Sequence, residues 1–278
     1  MVKQDWSNEE KFFARSWSHI FYFWKLRQIM LAKTVRNILR QRQGDQETVV
    51  IDLGCGPGTN VFDVYDASED MANVRWFGLD LNQQEAAMGA ARSKYRNQGR
   101  HKQPIHFMSG DIFQLPFADN SVDILISSEV VEHLPDPVPA LQEMQRVLKP
   151  NGYAMVTTPN PRNLPEMLGY ALDKLTFGGF KKFYWKGQDE VSAPPLDAAV
   201  GFGHVSVHPY PVWRDWFQQV GLPVVKQVRG PIVFGSPFFD RQRFLLGMLV
   251  MLDPILDKLP LRFLTTTNLG MLCKKQGK

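Results

Sequence analysis

Two hydrophobic periods run through this chain. Short apolar runs rich in β-branched residues recur at Val49–Leu53, Val74–Asp80, Ile105–Met108, Val122–Ile126, Tyr153–Thr157, Leu222–Val228 and Asn268–Cys273. Runs of this kind, closed by polar or glycine residues, read as strands buried on both faces of a parallel sheet. Between them lie segments of helical period. Asn60–Tyr65 and Gln83–Tyr95 are expected helices, the second with Ala86, Ala87, Ala90 and Ala91 allowing close approach to the sheet. Asp136-Pro137 suits the start of another, as N-cap and first-turn residue, with Leu141, Met144 and Leu148 as its buried face. Tyr210–Val220 carries Trp213, Trp216, Phe217 and Val220 at helical spacing, and Gly221 ends it. The expected fold is α/β: a doubly wound, mostly parallel seven-stranded Rossmann-like sheet with helices on both faces.

Three segments fall outside this alternation. Residues 1–43 form an expected helical preface, with Phe13, Trp17, Ile20 and Trp24 on one helix face. Seven aromatics between Phe12 and Trp24 exceed one stripe, so some should meet a second partner: substrate, subunit or membrane. Nine Lys and Arg against three acids give the preface a basic face, solvated or resting on anionic lipid. The rest, 44–278, reads as one domain with insertions at about 160–207 and 229–264. The first insertion is rich in Pro, Gly and aromatics with little regular period, which suits a lid or binding loop. The second contains Phe244–Leu252, nine residues without a charge, suited to core or dimer packing, an apolar pocket or lipid contact.

The chemistry concentrates where the first strand ends. Val49–Leu53 breaks into Gly54-Cys55-Gly56-Pro57-Gly58-Thr59-Asn60, three glycines at alternate positions. Glycine permits positive φ and lets backbone approach a ligand closely, although such turns also close loops that bind nothing. Asp80 ends the second strand, 22 residues after Gly58. That is near the roughly 20-residue offset at which an acid meets ribose hydroxyls. Ser109-Gly110-Asp111-Ile112 closes the third strand and Ser127-Ser128-Glu129 the fourth. Polar residues thus recur at four carboxyl ends, where open α/β sheets hold ligands.

With these residues in order, the chain resembles a class I S-adenosylmethionine (SAM)-dependent methyltransferase of the broad small-molecule, type 11-like kind. Asp52–Gly58 matches the cofactor loop, Asp80 the ribose acid, Gly110-Asp111 the stretch before adenine, and Ser127–Leu134 the segment after the fourth strand. Arg146-Val147-Leu148-Lys149-Pro150-Asn151-Gly152 is similar to the family's Arg-Val-Leu-Lys-Pro-Gly-Gly turn, with Asn151 in place of the first glycine. The resemblance covers roughly residues 46–160. It implies SAM as cofactor, held by Asp52, Gly54, Cys55, Gly56, Gly58, Asp80, Leu81, Asp111, Ile112 and Ser128. In that scheme Asp52 serves the amino end, Asp80 both ribose hydroxyls and Asp111 the adenine amino group. The Ile112 N–H faces a ring nitrogen, and Leu81 and Ile112 wall the adenine. Asp111 also reads as a plain turn residue after Gly110.

Composition narrows the partners. The 32 basic and 28 acidic side chains leave a mild excess, which does not argue for nucleic acid. Cys55 and Cys273, 218 positions apart, form no disulfide framework or metal spacing. The first residues do not resemble a signal peptide, and no apolar run reaches the ~18 residues of a membrane span. The expected location is the cytoplasm, with peripheral contact at a membrane surface as an option.

An acceptor hydroxyl or acidic carbon needs a base, and histidine suits that near neutral pH. His133 follows Glu132 beyond the fourth strand, and His208 precedes the aromatic helix, so both are catalytic candidates; Glu132 could instead orient His133 or the cofactor. His204 and His208, four apart, invite a metal reading, but no third ligand is evident in sequence and Pro209 opposes one helix through both, so no metal is expected. Ser127-Ser128-Glu129-Val130 lacks the Asn/Asp-Pro-Pro-aromatic pattern of families that methylate adenine or glutamine amides. The insertions suggest a small or lipophilic acceptor of the lipid, quinone, polyketide or lipid-linked sugar type, methylated on oxygen or carbon. A methyltransferase acting on RNA or protein, and a catalytically silent SAM-binding partner protein, are the alternatives. A nicotinamide oxidoreductase fits less well, because the loop is Gly-x-Gly-x-Gly.

Overall fold

Successive side chains of each strand point to opposite faces, so a strand buried on both sides must be apolar at consecutive positions. The computed structural model shows this in the central strands and describes residues 19–42, 47–68, 70–71, 73–96, 104–162, 164–184, 203–230 and 266–277, with five further residues between 242 and 251. The elements in order are α1 (His19–Gln41), β1 (Thr48–Leu53), α2 (Thr59–Ala67), β2 (Val74–Asp80), α3 (Gln83–Arg96), β3 (Ile105–Ser109) and β4 (Val122–Ser128). A 3-10 turn at Val131–His133 follows, then α4 (Val138–Val147), β5 (Leu148–Pro159), α5 (Leu164–Leu175), α6 (Gly179–Tyr184), α7 (Tyr210–Gln219), β6 (Val224–Arg229) and β7 (Asn268–Lys274).

The strands form one sheet in the order β3-β2-β1-β4-β5-β7-β6. Pairings from β3 to β5 are parallel, and β7 runs antiparallel to β5. Ile51, Leu53, Leu125, Ala154, Val156 and Met271 share one apolar layer with Leu141, Met144 and Val147 of α4 and Trp213 and Phe217 of α7. Their neighbours Val50, Ile124, Ile126, Met155 and Leu272 share the other with Leu31, Val35, Ile38 and Leu39 of α1 and Val61, Phe62, Val64 and Tyr65 of α2. Helices therefore cover both faces of the doubly wound sheet, as the strand pattern predicts.

Tertiary contacts change several local expectations. Leu148 is not on the α4 face: the helix ends at Val147, and Leu148 turns extended to start β5. The buried positions of α3 are Ala86, Gly89 and Ser93, while Ala87, Ala90 and Ala91 face outward. In α1 the inward face runs from Met30 to Leu39, and Arg27, counted above on a solvated face, is only 2% exposed. Phe13 and Trp17, and the side chains of Ile20 and Trp24, lie outside the described residues. The first insertion, expected to lack regular structure, contains α5 and α6. Within Phe244–Leu252, the described Phe244, Leu245, Met248 and Met251 are exposed rather than packed in a core.

Contacts group the chain into two units. Gln28–Pro161, Gly203–Val228 and Asn268–Lys278 hold the sheet. Met1–Arg27, Arg162–Phe202 and Arg229–Thr267 make the other, which includes α5 and α6. Among the described residues no helix is long and apolar enough to cross a membrane.

Candidate functional site

The register of the parallel strands brings their carboxyl ends to one edge: Leu53 lies beside Leu79 and Ser127, Asp80 beside Ser109, and Ser128 beside Thr157. The glycine loop leaves that edge with φ of 65°, 52° and 91° at Gly54, Gly56 and Gly58. It is tied to β2, since the N–H groups of Gly54 and Cys55 donate to Leu79 O at 2.8 and 3.1 Å. The Gly56 N–H donates to Asp80 Oδ2 at 2.7 Å, while Asp80 Oδ1 accepts from the Asn82 N–H at 2.8 Å. Asp80 thus anchors the loop through its own carboxylate.

The three glycines have different surroundings. A Cβ on Gly54 would lie 2.5 Å from Val130 Cγ2, and one on Gly58 2.6 Å from Phe107 Cζ. Added atoms at Gly78 and Gly89 would strike the same phenyl ring at 2.7 and 2.4 Å, so Phe107 occupies space that glycines leave. At Gly56 a Cβ would meet nothing within 4 Å. Gly54 and Gly58 therefore serve packing, and Gly56 keeps the open side of the loop.

Beneath the loop, Asp52 is 1% exposed, and neither carboxylate oxygen has a hydrogen-bond partner. Burial pushes its pKa up to about 8; the backbone of Val61, short of hydrogen-bond geometry, opposes this, and the Asp80 charge adds to it. Cys55 is buried and its thiol donates to Gly56 O at 3.3 Å. Burial first, then the Asp52 and Asp80 charges, raise its pKa far above the usual thiol range, so it stays protonated and is no nucleophile.

Along the edge, Asp111 makes a turn, its Oδ1 accepting the Phe113 N–H at 2.9 Å and its carbonyl the Gln114 N–H at 3.1 Å. Leu81 is 75% exposed, whereas Ile112 is partly buried against the core. Ser128 Oγ lies 2.9 Å from Thr157 Oγ1, which donates to Glu129 Oε1 at 2.9 Å. Asn268 Nδ2 donates to Glu129 Oε2 at 2.7 Å. Glu129 itself has a left-handed backbone, φ 58°. Nothing in the local sequence announces this chain of polar groups, because its members come from β4, β5 and β7.

The histidines sort in an unexpected way. His133 is exposed at the end of the 3-10 turn, its Nδ1 3.2 Å from Gly203 O. Its ring centroid is 4.8 Å from that of His204, beside the fully buried Glu132. His208 packs instead edge-on to Trp216 and Trp213, at 4.8 and 6.1 Å. The pair that comes together is thus His133 with His204, not His204 with His208.

Residues 44–183 match a family model described as a methyltransferase domain. The chain belongs to the class I SAM-dependent methyltransferases. An uncharacterized methyltransferase of Schizosaccharomyces pombe is 37% identical over 109 residues, covering 37% of each chain. A demethylmenaquinone methyltransferase of Lactobacillus johnsonii is 31% identical over 153 residues, 55% of this chain and 59% of that one. The match therefore spans less than two thirds of either relative. A SAM-dependent methyltransferase from Aquifex aeolicus shares the fold with a TM-score of 0.51 at 14% identity, covering 98% of this chain and 99% of that one. SAM is the cofactor of this family, and the end of β1 combines a loop open at Gly56 with the buried Asp52 carboxyl, whose oxygens make no hydrogen bond.

Proposed function

We propose that the methyltransferase transfers the methyl group of SAM to a small, lipophilic acceptor at a hydroxyl or an acidic carbon. The observation that carries the cofactor half is Asp52, a buried carboxyl without a protein partner beside a loop whose middle glycine faces open space. A cationic amino group brought there would stabilise the carboxylate that burial opposes. Gly54, Cys55, Gly56 and Gly58 shape the loop. Asp80 has lone pairs left for ribose hydroxyls beyond the two backbone N–H groups it accepts. Leu81 and Ile112 are the apolar wall for adenine, and Asp111 keeps one oxygen outside its turn for the adenine amino group. Ser128 holds the end of β4 through Thr157. SAM bound there supplies electrophile and leaving group together. The chain's part is then to orient the acceptor and exclude water, a contribution worth roughly 7–11 kcal/mol when alignment is good. Of the two candidate histidines, His133 is exposed three residues beyond Val130, whereas His208 is engaged by tryptophans.

Support for a lipophilic acceptor comes from α5, α6 and the turn between them, which begin five residues after β5 ends. Met167, Leu168, Tyr170, Leu175, Phe177 and Phe183 are each more than half exposed there. Apolar exposure on this scale marks a binding or membrane surface. The quinone-modifying relative is consistent with such an acceptor. Isothermal titration should show SAM and its demethylated product binding, NAD not binding, and Asp80→Ala weakening SAM by about 1–3 kcal/mol. A panel of isoprenoid hydroquinones and acyl-chain acceptors should then report methyl transfer. Unchanged SAM affinity in Asp80→Ala would remove that residue from the site, and methylation of RNA or protein alone would refute the acceptor class.

A further inference from the structure

We propose that Glu132, His133 and His204 form a binding site for a divalent cation of the Zn2+ type. One ligand atom from each lies within 4.8 Å of the others, and Glu132 Oε1 is 4.0 Å from His204 Nε2. Two imidazoles and a carboxylate are a donor set that suits zinc and other first-row divalent ions. A tetrahedral site with bonds of ~2.0 Å has ligand atoms about 3.3 Å apart, so the three need to draw in by about 1.5 Å at most.

The surrounding contacts pre-arrange the donors. The N–H groups of Val205 and Ser206 both donate to Glu132 O at 2.9 Å, which pins the 203–206 segment to the 3-10 turn and delivers His204. His133 Nδ1 is held by Gly203 O at 3.2 Å, leaving Nε2 to bind. A metal-binding histidine commonly donates its other N–H to a carbonyl in this manner, which sets tautomer and ring orientation. Glu132 is fully buried and the His204 side chain only 9% exposed, whereas His133 is exposed. The site is thus closed on the protein side and open on the other, the arrangement of a cation that keeps positions for a ligand.

Its place in the fold adds a role. Val130, two residues before Glu132, fills the space left by Gly54 in the cofactor loop. The cluster therefore stands beside the loop and beyond the carboxyl end of β4. A cation there would hold an acceptor oxygen as a Lewis acid. That role rests on the methyl-transfer reading above; cation binding does not.

The test uses the full chain, stripped with chelator and titrated with Zn2+ alone by calorimetry, and with Co2+ by visible absorption. One equivalent should bind, with Co2+ bands typical of nitrogen ligation. His133→Asn and His204→Asn should each lower affinity at least tenfold while far-UV circular dichroism and SAM affinity are kept. No stoichiometric binding by the wild-type chain, or equal binding by the double variant, would overturn the proposal. SAM binding without cation binding would sink this inference and leave the cofactor reading standing.

Discussion

Asp52 shows how one residue couples fold and ligand. Its folded-state pKa of about 8 lies above the ordinary 3.8, so its contribution to stability is full below about pH 4 and is lost as pH rises through 8. Between those values the slope from this group is on the order of 1 kcal/mol per pH unit. A cofactor ammonium near the carboxyl favours its ionised form, so SAM binding at pH 7 should release a proton. Titration in buffers of different ionisation enthalpy measures this directly. Buffer-independent heats in the wild type, or the same release from Asp52→Asn, would disprove the linkage. The glycines give a second pair of expectations. Gly54→Ala combines positive φ with a collision against Val130 and should cost about 2–4 kcal/mol in urea unfolding. Gly56→Val meets open space, keeps the fold at the strain of positive φ, and should abolish SAM binding. Retained SAM affinity in Gly56→Val would make that glycine a turn residue only.

At the scale of elements, the join between α4 and the loop before β4 is organised by one guanidinium. Arg146 donates to Glu143 through Nε and Nη2, both at 2.8 Å, to Asp119 at 2.7 Å, and to the carbonyls of Phe117 and Leu115 at 2.9 and 3.0 Å. This clamp fastens the loop between β3 and β4 to α4. Removing it with Arg146→Ala should lower stability by about 2–3 kcal/mol and raise hydrogen exchange across residues 115–119. An unchanged unfolding midpoint would contradict the clamp. The first residues of β5 explain a departure from the family pattern. Asn151 has φ 63°, a conformation that asparagine tolerates better than most residues, whereas a Cβ on Gly152 would come 2.8 Å from Lys149 O. The first glycine is therefore replaceable by asparagine here, and the second is not.

For the whole molecule, the preface divides by burial. Leu31, Val35, Ile38 and Leu39 belong to the core against the sheet, so a deletion through residue 40 would remove packed core side chains. Deleting residues 1–18 instead removes Phe12, Phe13 and Trp17 and leaves that core face whole. The truncated chain should keep its melting temperature and SAM affinity and lose transfer to lipophilic acceptors. Full activity on such acceptors would show that the aromatic preface has no part in holding them.

The strands and the doubly wound α/β class were legible in sequence because hydrophobic period and turn chemistry rest on neighbours along the chain. Consecutive apolar residues mark Ile124–Ile126 as doubly buried, and Asp80 ends its strand at a fixed offset from the glycines. Boundaries were less legible where burial overrode local period, as at Leu148, and α3 turned its small residues inward at only Ala86, Gly89 and Ser93. What each glycine is for could not be read from a repeating Gly-x-Gly-x-Gly, since the answer is whatever stands opposite: Val130, open space, or Phe107. The histidines make the same point most strongly. Spacing pairs His204 with His208, yet two backbone hydrogen bonds to Glu132 draw His204 to His133, 71 positions earlier, and His208 turns to the tryptophans. Local pattern records hydrophobic period and turn chemistry, whereas a cluster assembled from distant segments exists only once the chain has closed on itself.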